Sequence, residues 1–293
     1  LTPSFENPKT FTIMLTLTAV IYNAKIMPEA KEVLMFGAIS TACLYPLETE
    51  KALSELLKQG VRRFEVFANC ESEFSDSFTK EILAMVKSYG AKICSVHLYT
   101  CGLEPFMFFS NYKRRFDDAA EHYKHYFERA AFLGASDVVF HGDRKDSTLP
   151  HDIFCERFAV LAEIARAEGV ALAQENVARC RSGKIETIKE MKKSLGKDVR
   201  FVLDVKQALR AGVDPIDMCD AMGENIDCVH ISDSTEEHDC LLPGQGSYDF
   251  KPLISHLKSF GFNGPLTVEV YRCNYKVYSE LYDSLRFINS LLQ

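Results

Sequence analysis

Four short apolar stretches, VALAQEN (170–176), VRFVLDV (199–205), DCVHISD (227–233) and LTVEVY (266–271), decide the expected fold. Each is typical of a buried β-strand that ends in one acidic or imidazole side chain. These four side chains are Glu175, Asp204, His230 and Glu269. Successive parallel strands that each deliver such a residue at the carboxyl end are typical of one face of a (β/α)₈ barrel.

The same alternation continues on both sides of these stretches and predicts eight strand–helix units. The predicted strands are Phe36–Ser40, Arg63–Phe67, Ala91–Leu98, Asp137–His141, Val170–Glu175, Arg200–Asp204, Cys228–Ile231 and Leu266–Val270. The predicted helices are Glu48–Gln59, Asp76–Tyr89, Phe116–Leu133, one after Pro150, Ile185–Leu195, Pro215–Met222, Phe250–Phe260 and a C-terminal one. We therefore predict an α/β fold, a single-domain (β/α)₈ TIM barrel over residues 35–293. A doubly wound open sheet is the alternative, but the G-x-G-x-x-G turn that it often carries after strand 1 is absent.

Residues 1–34 precede the first predicted strand. Their apolar segment FTIMLTLTAVIY (11–22) is too short to span a membrane and is followed by no clear small-x-small cleavage site. We predict that residues 1–34 are an N-terminal extension outside the fold, with a leader peptide as the alternative.

Composition narrows the class of protein. The chain has 293 residues, of which 34 are Lys or Arg and 41 are Asp or Glu, giving a net charge of −7. This balance argues against general affinity for nucleic acid or for anionic membranes. The 10 cysteines include no C-x-x-C pair, and several lie in apolar strands, so we expect a cytoplasmic protein without a disulfide framework.

The four strand-end residues suggest a metal site. A carboxylate at the end of an apolar strand needs a partner, and three carboxylates with one imidazole form an oxygen-rich ligand set. Such a set favours Mn²⁺, Mg²⁺ or Co²⁺, with Zn²⁺ as a further candidate. Because the histidine binds as the neutral imidazole, activity should fall in acid.

Further polar side chains are expected at the same mouth. His97 and His141 end the third and fourth strands, and Lys206 and Gln207 follow Asp204. If the strand continues beyond Asp204, alternation places Lys206 on the same side as that carboxylate. Its ammonium would then bind an anionic substrate group or offset the carboxylates.

Two loops have both a functional and a local interpretation. In HDCLLPGQGSYDF (238–250) the glycines permit a tight turn and Asp249 caps the next helix, and the turn could also receive a phosphate. The segment FMFFSNYKRRF (106–116) would serve as a lid, as a subunit contact, or only as packing over the mouth.

The ordered motifs AQEN, FVLD, VHISDS, PGQGSYDF and TVEVY resemble the xylose isomerase-like superfamily, and within it the ketose 3-epimerases and other sugar isomerases. The resemblance covers about residue 36 to the C-terminus. It implies a divalent-metal-dependent isomerase or epimerase of a sugar, sugar phosphate or related polyol ketone, active in carbohydrate metabolism. It also implies one ion per chain, such as manganese, and a subunit that could form a homo-oligomer.

The resemblance also assigns roles. Glu175, Asp204, His230 and Glu269 would bind the metal, while Glu175 and Glu269 would be the catalytic acid and base. The implied chemistry is proton abstraction next to a carbonyl through an enediolate. We expect His97, His141, Lys206 and Gln207 to bind substrate. The family pattern does not settle the role of Lys206, and the two histidines could instead hold a second ion.

Two departures from the family pattern affect substrate contacts. Gln207 stands where the family often has histidine, and the stretch 237–240 (EHDC) lacks the arginine that epimerases usually carry there. The alternative function is an endonuclease IV-like phosphodiesterase with three zinc ions, for which His97, His141 and Glu175 would form one site. Gln207 and Cys240 leave its third site incomplete, and the basic loops that DNA binding needs are missing. A barrel with decayed chemistry is a third class, which the intact quartet disfavours.

Overall fold

The computed structural model describes residues 35–293, so the predicted extension lies outside the described residues. Eight parallel strands form a closed barrel in chain order, with the last strand paired to the first. The strands are β1 (Phe36–Ser40), β2 (Arg63–Phe67), β3 (Lys92–His97), β4 (Asp137–Phe140), β5 (Ala171–Glu175), β6 (Arg200–Asp204), β7 (Ile226–Ile231) and β8 (Pro265–Val268). The predicted (β/α)₈ fold is confirmed, and strand bounds differ from prediction by at most two residues at either end.

Helices surround the barrel and pack against the outer faces of the strands. They are α1 (Thr49–Lys58), α2 (Asp76–Ser88), α3 (Glu104–Phe108), α4 (Lys113–Leu133), α5 (His151–Ala167), α6 (Ile185–Leu195), α7 (Val205–Arg210), α8 (Pro215–Met222), α9 (Phe250–Ser259) and α10 (Ser279–Leu291). The short helices α3 and α7 were not predicted. Helix α7 begins directly after β6 because the Asp204 side chain accepts a hydrogen bond from the Gln207 N–H and caps it. Among the helices of residues 35–293, none combines the length and the apolarity needed to cross a membrane.

The barrel interior has a layer of small buried side chains directly below the mouth. Val139, Ala173, Val202 and Cys228 contribute to it from β4 to β7 and contact one another. Because side chains alternate along a strand, the residue two positions later points to the same interior. Those residues are His141, Glu175, Asp204 and His230.

The cysteines agree with the sequence analysis. All 10 lie within residues 35–293, and each is a free thiol there. Most are buried within the fold, where cysteine packs as a small apolar side chain.

Candidate metal centre

Glu175, Asp204, His230 and Glu269 converge at the carboxyl end of the strands. One ligand atom from each lies within 4.8 Å of the corresponding atoms of the other three. From His230 Nδ1 the distances are 3.4 Å to Glu175 Oε1, 3.8 Å to Asp204 Oδ2 and 3.6 Å to Glu269 Oε2. With metal–ligand bonds of about 2.1 Å, neighbouring ligand atoms stand about 3.0–3.4 Å apart. The spacing therefore fits a single ion after small side-chain adjustments.

A carboxylate on β2 sets the orientation of His230. Its Nε2 lies 3.0 Å from Glu65 Oε2, and the same carboxylate oxygen accepts a hydrogen bond of 2.8 Å from Ser95 Oγ. Glu65 is completely buried, so it holds the imidazole within the barrel interior. With Nε2 donating to Glu65, the Nδ1 lone pair of His230 points to the three carboxylates. A carboxylate that orients a histidine in this way is a frequent partner of a metal ligand.

Three buried polar atoms of the quartet have no hydrogen-bond partner among residues 35–293, and one of them, Glu175 Oε2, lies 2.8 Å from His141 Nε2. The other two are His230 Nδ1 and Asp204 Oδ2. A buried polar atom without a partner is costly, and here both atoms face the same point. A divalent cation would satisfy them together, so the chemistry of the donor set fits a metal.

The charges of the quartet are out of balance without such a cation. Burial, together with the neighbouring Glu175 and Glu269 carboxylates, raises the pKa of Asp204 to about 7 despite the adjacent Lys206. Burial alone would lower the pKa of His230, but Glu65 and Glu269 raise it well above the usual value. In the metal-free protein, protons thus compensate for carboxylates that a divalent ion would neutralise.

Lys206 lies within the carboxylate cluster, as the sequence predicted, but for a different structural reason. It lies in helix α7 rather than on a continuing strand. Its Nζ lies 2.8 Å from Glu269 Oε2 and 3.4 Å from Asp204 Oδ2, and its side chain is 4% exposed. Burial raises the pKa of Glu269, but Lys206 and His230 outweigh this effect and lower it to about 2. This geometry favours the second sequence interpretation, in which Lys206 offsets the carboxylates.

The residues beside Glu175 and Asp204 brace the strand ends. The Gln174 amide donates to the carbonyl of His141 at 2.8 Å, which ties β5 to β4. Asn176 donates to the Asp204 carbonyl and accepts from the Asp204 N–H, which ties β5 to β6. The AQEN motif thus places one ligand while its amides fix both neighbouring strands. Gln207 lines the same cavity as Glu175 and Glu269, and its Oε1 accepts from the Ala178 N–H at 3.1 Å.

His97 and His141 form a hydrogen-bonded pair beside Glu175. Their Nε2 atoms are 3.0 Å apart, and His141 Nε2 is 2.8 Å from Glu175 Oε2. His97 Nδ1 faces the Leu98 carbonyl at 3.3 Å, so that nitrogen carries a proton. Burial and the adjacent His141 lower the pKa of His97 to about 4, which leaves its Nε2 as an acceptor.

Arg179 determines the tautomer of His141. Its Nη2 lies 3.2 Å from His141 Nδ1, and a guanidinium can only donate. Glu175 favours the protonated imidazole, but the guanidinium excludes a proton from Nδ1. His141 therefore carries its proton on Nε2 and donates it to His97 Nε2, with Glu175 Oε2 at 2.8 Å. In this tautomer Nε2 has no free lone pair for a second ion.

A second buried carboxylate fixes the backbone that carries His141. Glu104 Oε2 accepts from the N–H groups of His141 and Gly142, at 2.8 and 2.7 Å. Gly142 has a φ of +79°, a conformation that favours glycine. Burial raises the pKa of Glu104 to about 8.

The quartet opens into a cavity of about 320 Å³, which we call the metal pocket. This volume is at the lower end of the range for small-molecule sites. Its rim carries two exposed aromatic rings, Tyr45 and Tyr271. Arg210 donates to the Tyr271 hydroxyl at 2.9 Å and holds that ring at the rim.

The glycine turn after β7 is occupied by a side chain of the protein itself. The buried Asp233 carboxylate accepts from the N–H groups of Gly244, Gly246 and Tyr248 at 2.9–3.0 Å. A Cβ at Gly246 would collide with this carboxylate. The turn therefore has no free N–H cluster for a phosphate, and the phosphate interpretation is wrong. Asp249 does cap helix α9, as predicted.

Part of the segment 106–116 is packed into the protein and part of it is exposed. Phe108 and Phe109 are buried, whereas Phe106 and Tyr112 are exposed. The Arg115 guanidinium lies 3.7 Å from the centre of the Phe106 ring. A role as lid or subunit contact remains a prediction.

Sequence reasoning missed three residues that shape the site, Glu65, Glu104 and Arg179. Glu65 had a usable signal, since a charged residue inside the apolar strand RFEVF must have a buried partner. Glu104 and Arg179 lie in loop-like sequence, where side-chain positions depend on the tertiary structure.

Similar proteins have the same fold. Residues 53–291 match the family model described as "Xylose isomerase-like TIM barrel". An inosose isomerase of Bacillus velezensis is 28% identical over 196 residues, which are 61% of this chain and 69% of that protein.

Two solved structures illustrate the structural similarity. A D-tagatose 3-epimerase-like protein has a TM-score of 0.71 and 19% identity, covering 88% of this chain and 97% of its own. The IolI protein, solved with a bound zinc atom, has a TM-score of 0.66 and 17% identity, covering 88% and 96%. At these identities the structural matches support the fold alone.

Proposed function

The chain belongs to the xylose isomerase-like TIM barrel family, and we propose that it is a divalent-metal-dependent isomerase or epimerase. Its substrate would be a sugar, a sugar phosphate or a related polyol ketone. The observation that carries this proposal is the convergence of four ligand atoms within 4.8 Å of one another, two of them buried and without partners.

Glu175, Asp204, His230 and Glu269 would hold the ion. The oxygen-rich set favours Mn²⁺, Co²⁺ or Mg²⁺, while the zinc in the structure of IolI keeps Zn²⁺ as a candidate. When bound, the ion would polarise the substrate carbonyl as a Lewis acid. Because a proton and the ion compete for His230 Nδ1, metal affinity and activity should fall as the pH falls.

The side chains supply the proton transfers. Glu269 borders the metal pocket and is kept ionised by Lys206 at 2.8 Å, so it can accept a proton from the carbon next to the carbonyl. That abstraction leaves an enediolate. Glu175, which enters from β5 and lies 2.8 Å from His141 Nε2, would return the proton from its own side. His97, His141 and Gln207 line the same pocket and would orient substrate hydroxyls.

A phosphodiesterase with several zinc ions is the second candidate, because His97, His141 and Glu175 do lie together. Two observations support the isomerase instead. Arg179 holds His141 in the tautomer that cannot bind a second ion through Nε2. At the place of a third site, Gln207 accepts a backbone hydrogen bond and the thiol of Cys240 is buried.

Metal content and proton exchange test the proposal together. We expect about one ion per chain after loading with Mn²⁺ or Co²⁺, and solvent-deuterium incorporation when ketoses, ketose phosphates and inososes are screened in D₂O. Glu269→Gln should lower that incorporation by about 10³-fold or more, since it removes the base, while circular dichroism shows an intact barrel. Exchange at the wild-type rate in this variant would refute the catalytic role of Glu269. Three ions per chain with phosphodiester cleavage would favour the nuclease.

A further inference from the structure

A second cavity of about 490 Å³ adjoins the metal pocket, and we call it the side cavity. The two cavities share Cys101 and Arg179 in their walls. A substrate with its carbonyl at the metal centre could therefore extend one end into the side cavity. Pro105, Phe106 and Phe109 contribute an apolar wall there.

Another part of the lining of the side cavity carries positive charge. Arg144 and Arg179 both line the side cavity, and no carboxylate among residues 35–293 lies within ion-pair distance of Arg179. Arg144 has only Asp146, at 3.5 Å, and both of these side chains are largely exposed. The one acidic lining residue, Asp143, lies 3.6 Å from Arg181. Arg179 uses Nη2 on His141 Nδ1, and both guanidinium groups keep further donors for a ligand.

The backbone holds this wall in place. Arg144 and Cys180 form an antiparallel bridge between the loop after β4 and the loop after β5. On either side of it, Lys145 N–H donates to the Arg179 carbonyl at 3.0 Å, and Arg181 N–H donates to the Asp143 carbonyl at 2.9 Å. The two arginines therefore sit on a paired and preorganised segment, and little loop ordering is needed on binding.

Lys206, the other cation at the mouth, is not available in this way. Its ammonium is buried between Asp204 and Glu269. An anionic group that approached it would have to displace those carboxylates. The arginines of the side cavity are thus better placed to receive an anion.

We propose that the side cavity is an oxyanion subsite, in which Arg144 and Arg179 bind a carboxylate or phosphate group of the substrate. This rests on the proposed function and sharpens it, because the preferred substrate would be an acidic sugar derivative rather than a neutral sugar. Arginine forms forked hydrogen bonds with both groups.

The test compares Arg144→Gln with Lys145→Gln in the magnesium-loaded protein. Lys145 is the matched control, because it is an exposed cation in the same loop that does not line the side cavity. The first measurement is calorimetric titration with inorganic phosphate and, separately, with acetate. The second is kcat/KM for deuterium incorporation into a neutral ketohexose, its 6-phosphate and its 6-carboxylate.

We expect Arg144→Gln to weaken binding of the preferred anion about tenfold, and to lower the ratio of kcat/KM for the anionic over the neutral substrate by a similar factor. Lys145→Gln should change neither. The two probes and the two acidic sugars distinguish phosphate from carboxylate. Equal effects of the two substitutions, or no anion binding by the wild-type protein, would overturn the subsite.

The two proposals can fail separately. If no sugar undergoes exchange, the proposed function fails, while the phosphate and acetate titrations still decide on the subsite. If the wild-type protein and both variants show exchange with the same ratio of kcat/KM for anionic over neutral substrate, the isomerase assignment stands and the subsite is refuted.

Discussion

The two ends of the barrel both carry carboxylates next to a cation, but their hydrogen bonding differs. At the amino-terminal end, Arg200 donates to both carboxylate oxygens of Asp227, and Ser136 Oγ donates to Asp137 Oδ2 at 2.6 Å. No side-chain atom of these residues is among the buried unpaired atoms of residues 35–293. At the mouth, Asp204 Oδ2 and His230 Nδ1 are unpaired and face one another across 3.8 Å.

The difference shows what distinguishes a candidate metal centre from a structural ion cluster. Both ends combine carboxylates with a cation, so the presence of charge alone identifies neither. Unsatisfied lone pairs that converge on one point are found at the mouth. A structural cluster is complete by itself, whereas the mouth cluster has unpaired atoms that an added cation would satisfy.

Replacing one carboxylate at each end tests this difference most directly. Asp204→Asn should lower the affinity for Mn²⁺ or Co²⁺ by on the order of 100-fold or more, because a ligand oxygen and its charge are lost. Asp137→Asn should leave the affinity within about twofold. Isothermal titration calorimetry on both variants checks this, and equal losses would mean that the ion binds elsewhere.

The second prediction concerns the residue that orients His230. Glu65→Gln should lower metal affinity about 10–100-fold, because the amide no longer fixes the Nδ1 lone pair toward the carboxylates. Ser95→Ala removes a weaker contact to the same carboxylate and should have a smaller effect. If Glu65→Gln binds metal as tightly as the wild-type protein, Glu65 is a structural residue only.

Much of this contrast could be predicted from the sequence. Short apolar stretches located the strands and the residue at each carboxyl end, so Glu175, Asp204, His230 and Glu269 were expected at one mouth. Local sequence also identified the Asp249 cap. These features depend on periodicity and on neighbours within a few residues.

The remaining features depend on contacts across the barrel. Glu65 and His230 are 165 residues apart, and Arg179 and His141 are 38 residues apart. Lys206 was placed correctly from a strand continuation that does not exist, because the Asp204 cap starts a helix there. The glycine turn was wrongly interpreted as a phosphate site. The buried Asp233 carboxylate, which belongs to a separate motif, accepts hydrogen bonds from its N–H groups.

The two ends should also respond oppositely in stability when metal is removed. In the presence of a chelator, Asp204→Asn should stabilise the fold by about 1 kcal/mol, because it relieves repulsion among buried carboxylates. Asp227→Asn should destabilise it by about 1–3 kcal/mol, since Arg200 loses its ionic partner. Urea denaturation of both variants gives the signs. The same sign for both substitutions would contradict the proposed difference between the two clusters.

The last prediction is a pH dependence of stability at the amino-terminal end. Burial and the nearby Asp227 raise the pKa of Asp137 from its ordinary value of 3.8 to about 7. Between these values the folded protein binds more protons than the unfolded chain, so this carboxyl makes the protein less stable as the pH rises toward 7. Asp137→Asn removes that dependence and can still accept from Ser136. The variant should therefore gain up to about 2–3 kcal/mol relative to the wild-type protein between pH 5 and pH 8, or several degrees in Tm. Thermal unfolding of both proteins at pH 5 and at pH 8 measures the gain. A stability difference between them that does not change with pH would show that Asp137 is already ionised in the folded protein at pH 5.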